Sequence, residues 1–207
     1  MKMNKFALEI VLLFFLISPA SGQLSSRYKE EIKKRLDPAV DTTTTKVVAL
    51  YVMRPSFKSP ESSIRIIDIN NKSFIETRFF SSNLWEAMIS YNPEKLMSLS
   101  TNYFTSPISN SFTNRMLENF TKVIENNKSD DESEKLKKIP GQSVRIRLYD
   151  GTIYEFEVNN DMSVKHTIIK REPIIGDLYY KVTTTNDQIL NDLKNGTFNE
   201  SKYEIYK

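Results

Sequence analysis

The chain has 207 residues, a net charge of +3, five glycines and no cysteine. It therefore cannot be stapled by disulfides, and its core must hold through burial and hydrogen bonding alone. Glycines this sparse build neither a phosphate loop nor a dinucleotide fingerprint, and so near-neutral a charge argues against nucleic acid as a partner.

Residues 1–22 read as a cleavable secretory signal. Lys2 and Lys5 supply the positive start, and residues 6–17 are apolar except for Glu9. Ser18-Pro19 then breaks the helix, and Ala20-Ser21-Gly22 offers the small residues that a signal peptidase requires. The expected cut lies between Gly22 and Gln23. The competing reading is an uncleaved anchor, but a spanning helix needs about 20 consecutive apolar residues. No membrane span is expected after cleavage.

Residues 25–36 suit a short charged helix capped by Ser25 or Ser26 and ended by Asp37-Pro38. Its cations Arg27, Lys29, Lys33, Lys34 and Arg35 alternate with Glu30 and Glu31, the pattern of a solvated helix face. Asp41 to Thr45 reads as a polar linker, making 23–45 a helix plus linker. A single domain is expected over 46–195. Residues 46–53 are apolar on both faces, as a central strand requires. Residues 63–69 and 73–80 around Asn70-Asn71 read as a hairpin. Ser81 or Ser82 would cap a helix bearing Leu84, Trp85, Met88 and Ile89. Asn92-Pro93 would open a second short helix, and residues 101–110 read as a loop.

Residues 111–127 carry the strongest helical period, with Phe112, Met116, Leu117, Phe120, Val123 and Ile124 on one face. A polar loop is expected over 128–141. Asp150-Gly151 between alternating runs predicts a type I′ hairpin joining 144–149 to 152–158. Tyr154, Phe156 and Val158 would face the core, and Glu155 and Glu157 would meet Arg145 and Arg147 on the wet face. Residues 163–169 and 178–183 read as strands, 186–193 as a helix stopped at Asn195-Gly196, and 196–207 as a tail with little to bury. The predicted class is α+β: a mainly antiparallel sheet with two or three helices on one face, residues 83–99 and 111–127 among them.

No catalytic, metal or cofactor motif stands out. His166 is the single histidine, so no paired-histidine metal spacing exists; as a base it would act alone. Ser26-Arg27-Tyr28-Lys29 fits Ser-x-x-Lys, but the companion motifs Ser-Asp-Asn and Lys-Thr-Gly are missing. Asp68, Glu76, Glu155 and Glu157 are the acids open to spatial pairing in a hydrolase, although each also reads as a strand's polar face. The acidic run 130–134 lacks the spacing and glycine of a calcium loop. Sequons at Asn71, Asn119, Asn127, Asn195 and Asn199 would accept glycans only in a eukaryotic secretory route.

Ser73-Phe74-Ile75-Glu76, Asn83-Leu84-Trp85, the run from Asp150 to Phe156, and the run from Asp192 to Tyr203 together resemble small uncharacterised exported proteins of Bacteroidetes-type bacteria. That resemblance implies no activity and transfers no site. The sequence thus points to an exported, non-enzymatic module that binds a protein or glycan, without a cofactor. The aromatic residues Tyr149, Tyr154, Phe156, Tyr179 and Tyr180 suggest either a recognition surface or core. The rival is a carboxylate-dependent hydrolase.

Overall fold

The computed structural model describes residues 24, 26–55, 59–90, 93–127, 151–159, 163–170 and 172–207. The signal with its Gly22–Gln23 bond, the Ser25 cap, the loop 128–141 and the strand 144–149 fall outside these residues. The class is α+β as expected: helices flank one antiparallel six-stranded sheet. The strands are β1 (Thr45–Arg54), β2 (Ser62–Ile69), β3 (Lys72–Phe80), β4 (Thr101–Pro107), β5 (Ile153–Asn159) and β6 (Val164–Ile169). Their order is β4-β3-β2-β1-β5-β6.

The twofold-apolar run becomes β1 at the sheet's centre, buried along most of its length. A bulge adds Val48 between Val47, opposite Ile67, and Ala49, opposite Ile66. That extra residue accommodates the adjacent isoleucines of β2, which break strict alternation. The β2–β3 turn is tight, with Asn70 and Asn71 both at positive φ (50° and 63°). Asparagine tolerates that region, and a two-residue turn of this type matches the twist of the strands.

Two long helices cover one face: α4 (Asn110–Asn126) and α5 (Leu178–Lys194). Tyr51, Ile64, Ile66, Ile75 and Phe156 on the sheet pack against Phe112, Met116, Phe120, Tyr179, Val182 and Ile189. Tyr154, Phe156 and Tyr179 therefore belong to the core and not to a recognition surface. Each such buried side chain contributes roughly 1.5–3 kcal/mol relative to exposure.

The other face is covered differently. Helix α1 (26–36) brings Ile32 and Leu36 onto Leu50, Val52 and Phe80, with Leu84 and Met88 of α2 (Leu84–Ile89) alongside. The expectation that 83–99 shares a face with 111–127 is thus corrected. Odd and even residues of β1 face opposite ways, and the even set, Leu50 and Val52, is apolar enough to need its own cover. The cap of α2 is Asn83, whose side chain accepts from the Glu86 amide at 2.7 Å, in place of Ser81 or Ser82. Helix α3 (Pro93–Met97) opens on its proline as expected.

Three further expectations differ. Residues 101–107 form β4, an edge strand whose polar residues need no second burying neighbour. Residues 178–183 are the first turns of α5, because Asp177 caps the helix by accepting from the Tyr180 amide at 2.6 Å. The C-terminal stretch is packed. Gly196, at φ 68°, stops α5, and 3-10 turns at Glu200–Lys202 and Glu204–Tyr206 fold back. Tyr203 and Tyr206 then reach 2% and 1% exposure, values that remove residues 196–207 from the class of loose tails. The Tyr206 hydroxyl donates to Asn186 Oδ1 at 2.9 Å. Tyr206→Phe leaves that buried acceptor empty and is expected to cost about 1–2 kcal/mol; an unchanged urea midpoint would show the bond to be without weight.

Candidate functional site

The face of the sheet beside α1 carries most of the strand charge. Register places Glu155 across from Val52, and Glu157 across from Leu50 and His166. Arg54 follows at the end of β1 on the same face. Arg54 Nη2 lies 3.2 Å from Glu155 Oε2, and His166 Nε2 lies 3.0 Å from Glu155 Oε1. Burial pushes the Glu155 carboxyl up, but the His166 bond and the Arg54 charge outweigh it and hold the group below its ordinary value. His166 is 37% exposed by its side chain, so the strip opens to solvent there, while Arg54 behind it is buried. The expected partners of Glu155 and Glu157, Arg145 and Arg147, lie outside the described residues.

Towards β3 the charges are buried. Arg65, 1% exposed, donates from Nε to Glu76 Oε1 at 2.8 Å, and its Nη2 lies 2.6 Å from the same oxygen. Its Nη1 donates to the Pro38 carbonyl at 2.6 Å and to Asp37 Oδ1 at 3.3 Å. Arg78 adds a third cationic donor to Glu76, 2.8 Å away. Arg65 therefore ties the chain leaving α1 to the sheet. Burial raises the Asp37 pKa, opposed by Arg65. Nearby, Glu61 accepts from the Leu84 and Trp85 amides at 2.7 and 3.1 Å and from the Tyr28 hydroxyl at 3.0 Å. It links α1, β2 and α2 through one carboxylate, whose pKa burial raises against those donors.

Each of the four strand acids has a partner in the fold. Glu76 and Glu155 are engaged by cations as above. Asp68 Oδ1 accepts from the Ser73 hydroxyl at 2.6 Å, and Glu157 Oε1 accepts from Asn159 at 2.8 Å. Ser26 is exposed on α1. A cleft of about 600 Å³ opens between Pro107, the start of α4 and Phe198, with Glu200 as its one acidic side chain. That carboxylate accepts from the Ser109 amide and hydroxyl at 2.7 and 2.6 Å, completing the cap of α4. A second cleft, about 570 Å³, lies beside α2 with Glu86 as its acid. Among the described residues no group of three or more His, Asp or Glu is placed to hold a metal ion, and no helix is long and apolar enough to cross a membrane. Asn119 donates to the Ile205 carbonyl at 2.9 Å and Asn127 to the Val123 carbonyl at 2.7 Å, so both sequon side chains serve the fold.

One polar cluster lay beyond sequence reasoning. On the underside of α5, the Tyr51 hydroxyl, Asn186 Nδ2 and Asp187 Oδ1 are buried without a hydrogen-bond partner among the described residues. Burial lifts the Asp187 pKa to about 6. Burial, then the Asp187 charge, raises that of Tyr51. The tyrosine and asparagine are typical core and helix residues, and their juxtaposition depends on the angle at which α5 crosses β1.

No family model, curated protein or solved structure matches the chain.

Proposed function

We propose that the chain is an exported, non-enzymatic domain that binds a protein or glycan outside the cytoplasm. The observation that supports this most is the engagement of its strand acids. A glycosidase-type site sets two carboxyls about 5–10 Å apart across a substrate space and keeps one protonated through a raised pKa. Here Glu155 is held low by His166 and Arg54, and Glu76 is bound by two arginines. The acids pushed upward, Asp37, Glu61 and Asp187, belong to separate clusters on different elements. The strip of Arg54, Glu155 and His166, open to solvent at His166, is the recognition surface in this reading: an imidazole and a part-exposed carboxylate, held in fixed register by the buried Arg54, suit polar contacts. The signal pattern of residues 1–22 supports export.

The test begins with the secreted form, whose N-terminus is expected to be Gln23; a form retaining earlier residues overturns cleavage at that bond. The same material is then used to capture partners from envelope extracts and medium. A retained partner that is lost with Glu155→Gln and His166→Ala supports the reading. Turnover of a glycan or peptide panel, abolished by Glu155→Gln, overturns it in favour of the hydrolase.

A further inference from the structure

Strand β4 pairs with β3 on one side only and forms an edge of the sheet among the described residues. Two bonds at its ends fix which backbone groups point outward. The Ser81 amide donates to the Ser100 carbonyl at 2.9 Å, and the Ile108 amide donates to the Ser73 carbonyl at 3.0 Å. In an antiparallel ladder, paired and outward residues alternate. The even residues of 100–108 therefore face β3, and Thr101, Tyr103 and Thr105 turn their N–H and C=O groups away from the sheet. Asn102, Tyr103, Thr105 and Pro107 are exposed, Tyr103 by 47%.

Open edges are ordinarily blunted by charge, by a central proline or by a bulge. Strand β6, at the other end of the described sheet, carries His166 and Lys165, the latter 2.6 Å from Glu125. Strand β4 carries no charged residue and has a continuous register with β3. Its one proline, Pro107, comes last.

We propose that β4 pairs antiparallel with β4 of a second copy of this chain, centred on Tyr103, so that two six-stranded sheets become one. The outward residues are arranged symmetrically about Tyr103. With Tyr103 opposite its counterpart, and Thr101 opposite Thr105, every outward N–H and C=O from 101 to 105 is satisfied. A slip toward the C-terminus brings in Pro107, which has no N–H to donate. A slip the other way leaves Thr105 unpaired. Tyr–Tyr and Thr–Thr cross-strand pairs are both favourable. No like charges meet at the axis: Arg78, whose guanidinium lies 4.7 Å from the centre of the Tyr103 ring, is already held by Glu76. The axis of such a pair stands perpendicular to the sheet, so both copies present the Arg54–Glu155–His166 strip on the same side.

Sedimentation of the full exported chain tests this. The wild type is expected to pass from monomer to dimer in the micromolar range, and Tyr103→Lys, which places two lysines across the axis, to remain monomeric with unchanged circular dichroism. The cysteine-free background permits a second, direct measurement. Tyr103→Cys is expected to form a disulfide-linked dimer under mild oxidation, since Cα atoms of such a pair lie about 5.5 Å apart; Lys72→Cys, remote from the axis, is not. A wild type that stays monomeric to about 100 μM, two decades above a micromolar constant, overturns the proposal. So does dimerisation undiminished in Tyr103→Lys, or a failure of Tyr103→Cys to cross-link.

Discussion

Glu76→Ala is expected to cost about 3–4 kcal/mol of folding stability, because it strands a guanidinium that is almost wholly buried. Arg65 is 1% exposed, and Glu76 receives both its Nε and its Nη2. Asp37 at 3.3 Å and the Pro38 carbonyl at 2.6 Å remain after the substitution, but neither replaces the carboxylate within the sheet. The cost follows from leaving a desolvated charge with only the longer Asp37 contact as its counter-ion, so removing both Arg65 and Glu76 relieves much of it. Arg65→Met with Glu76→Leu is expected to lie only about 1–2 kcal/mol below wild type. The residual deficit reflects the bonds that fasten the chain after α1, worth about 1 kcal/mol each. Urea midpoints at an unchanged slope give these values, and the double-mutant cycle isolates the coupling. Additive single and double effects would mean that the pair stabilises through separate contacts and not as a unit.

The network also shows which features were legible from sequence. Arg65 and Glu76 lie on adjacent strands of a hairpin that the Asn70-Asn71 turn announces, and the turn alone sets them opposite each other. The central position of β1, the buried alternation of β5 and the apolar face of α4 were equally readable, because each follows from a period within one segment. What escaped depends on neighbours far along the chain. Strand β4 is half polar because only one side of it is covered. The aromatic and β-branched run at 178–183 favours a strand by propensity, yet Asp177 and the spacing of Tyr179, Val182, Asn186, Ile189 and Leu193 make it helical. Gly176-Asp177 ahead of that period was the usable signal. The second core under α1 was hidden because a charged helix surface masks a narrow apolar stripe, Ile32 and Leu36. For the candidate site, Glu155 and His166 were visible as single residues. Their contact required the β5–β6 register, and Arg54 required that of β1 with β5.

Asp187→Asn is expected to stabilise the protein at neutral pH. The carboxyl sits beneath α5 with Oδ1 buried and unpartnered, and burial alone raises its pKa from 3.8 to about 6. A folded-state pKa above the unfolded value means that the folded chain binds this proton more tightly. The favourable contribution is complete below pH 3.8 and is lost as pH rises through about 6. At pH 7.5 the folded state therefore bears a charge that it solvates worse than the unfolded chain does, a penalty of roughly 2–3 kcal/mol. An asparagine of nearly the same shape removes the charge. It adds a donor near the Tyr51 hydroxyl, which has no hydrogen-bond partner among the described residues. For a domain of this size the gain corresponds to a rise in Tm of about 5–10 °C at pH 7.5. At pH 4 the two proteins are expected to melt within about 1–2 °C of each other, because both side chains are then neutral. Calorimetry across pH 4–8 separates this from a general packing effect: a gain in Tm that is equal at both ends of the range would show that the buried charge is not its source.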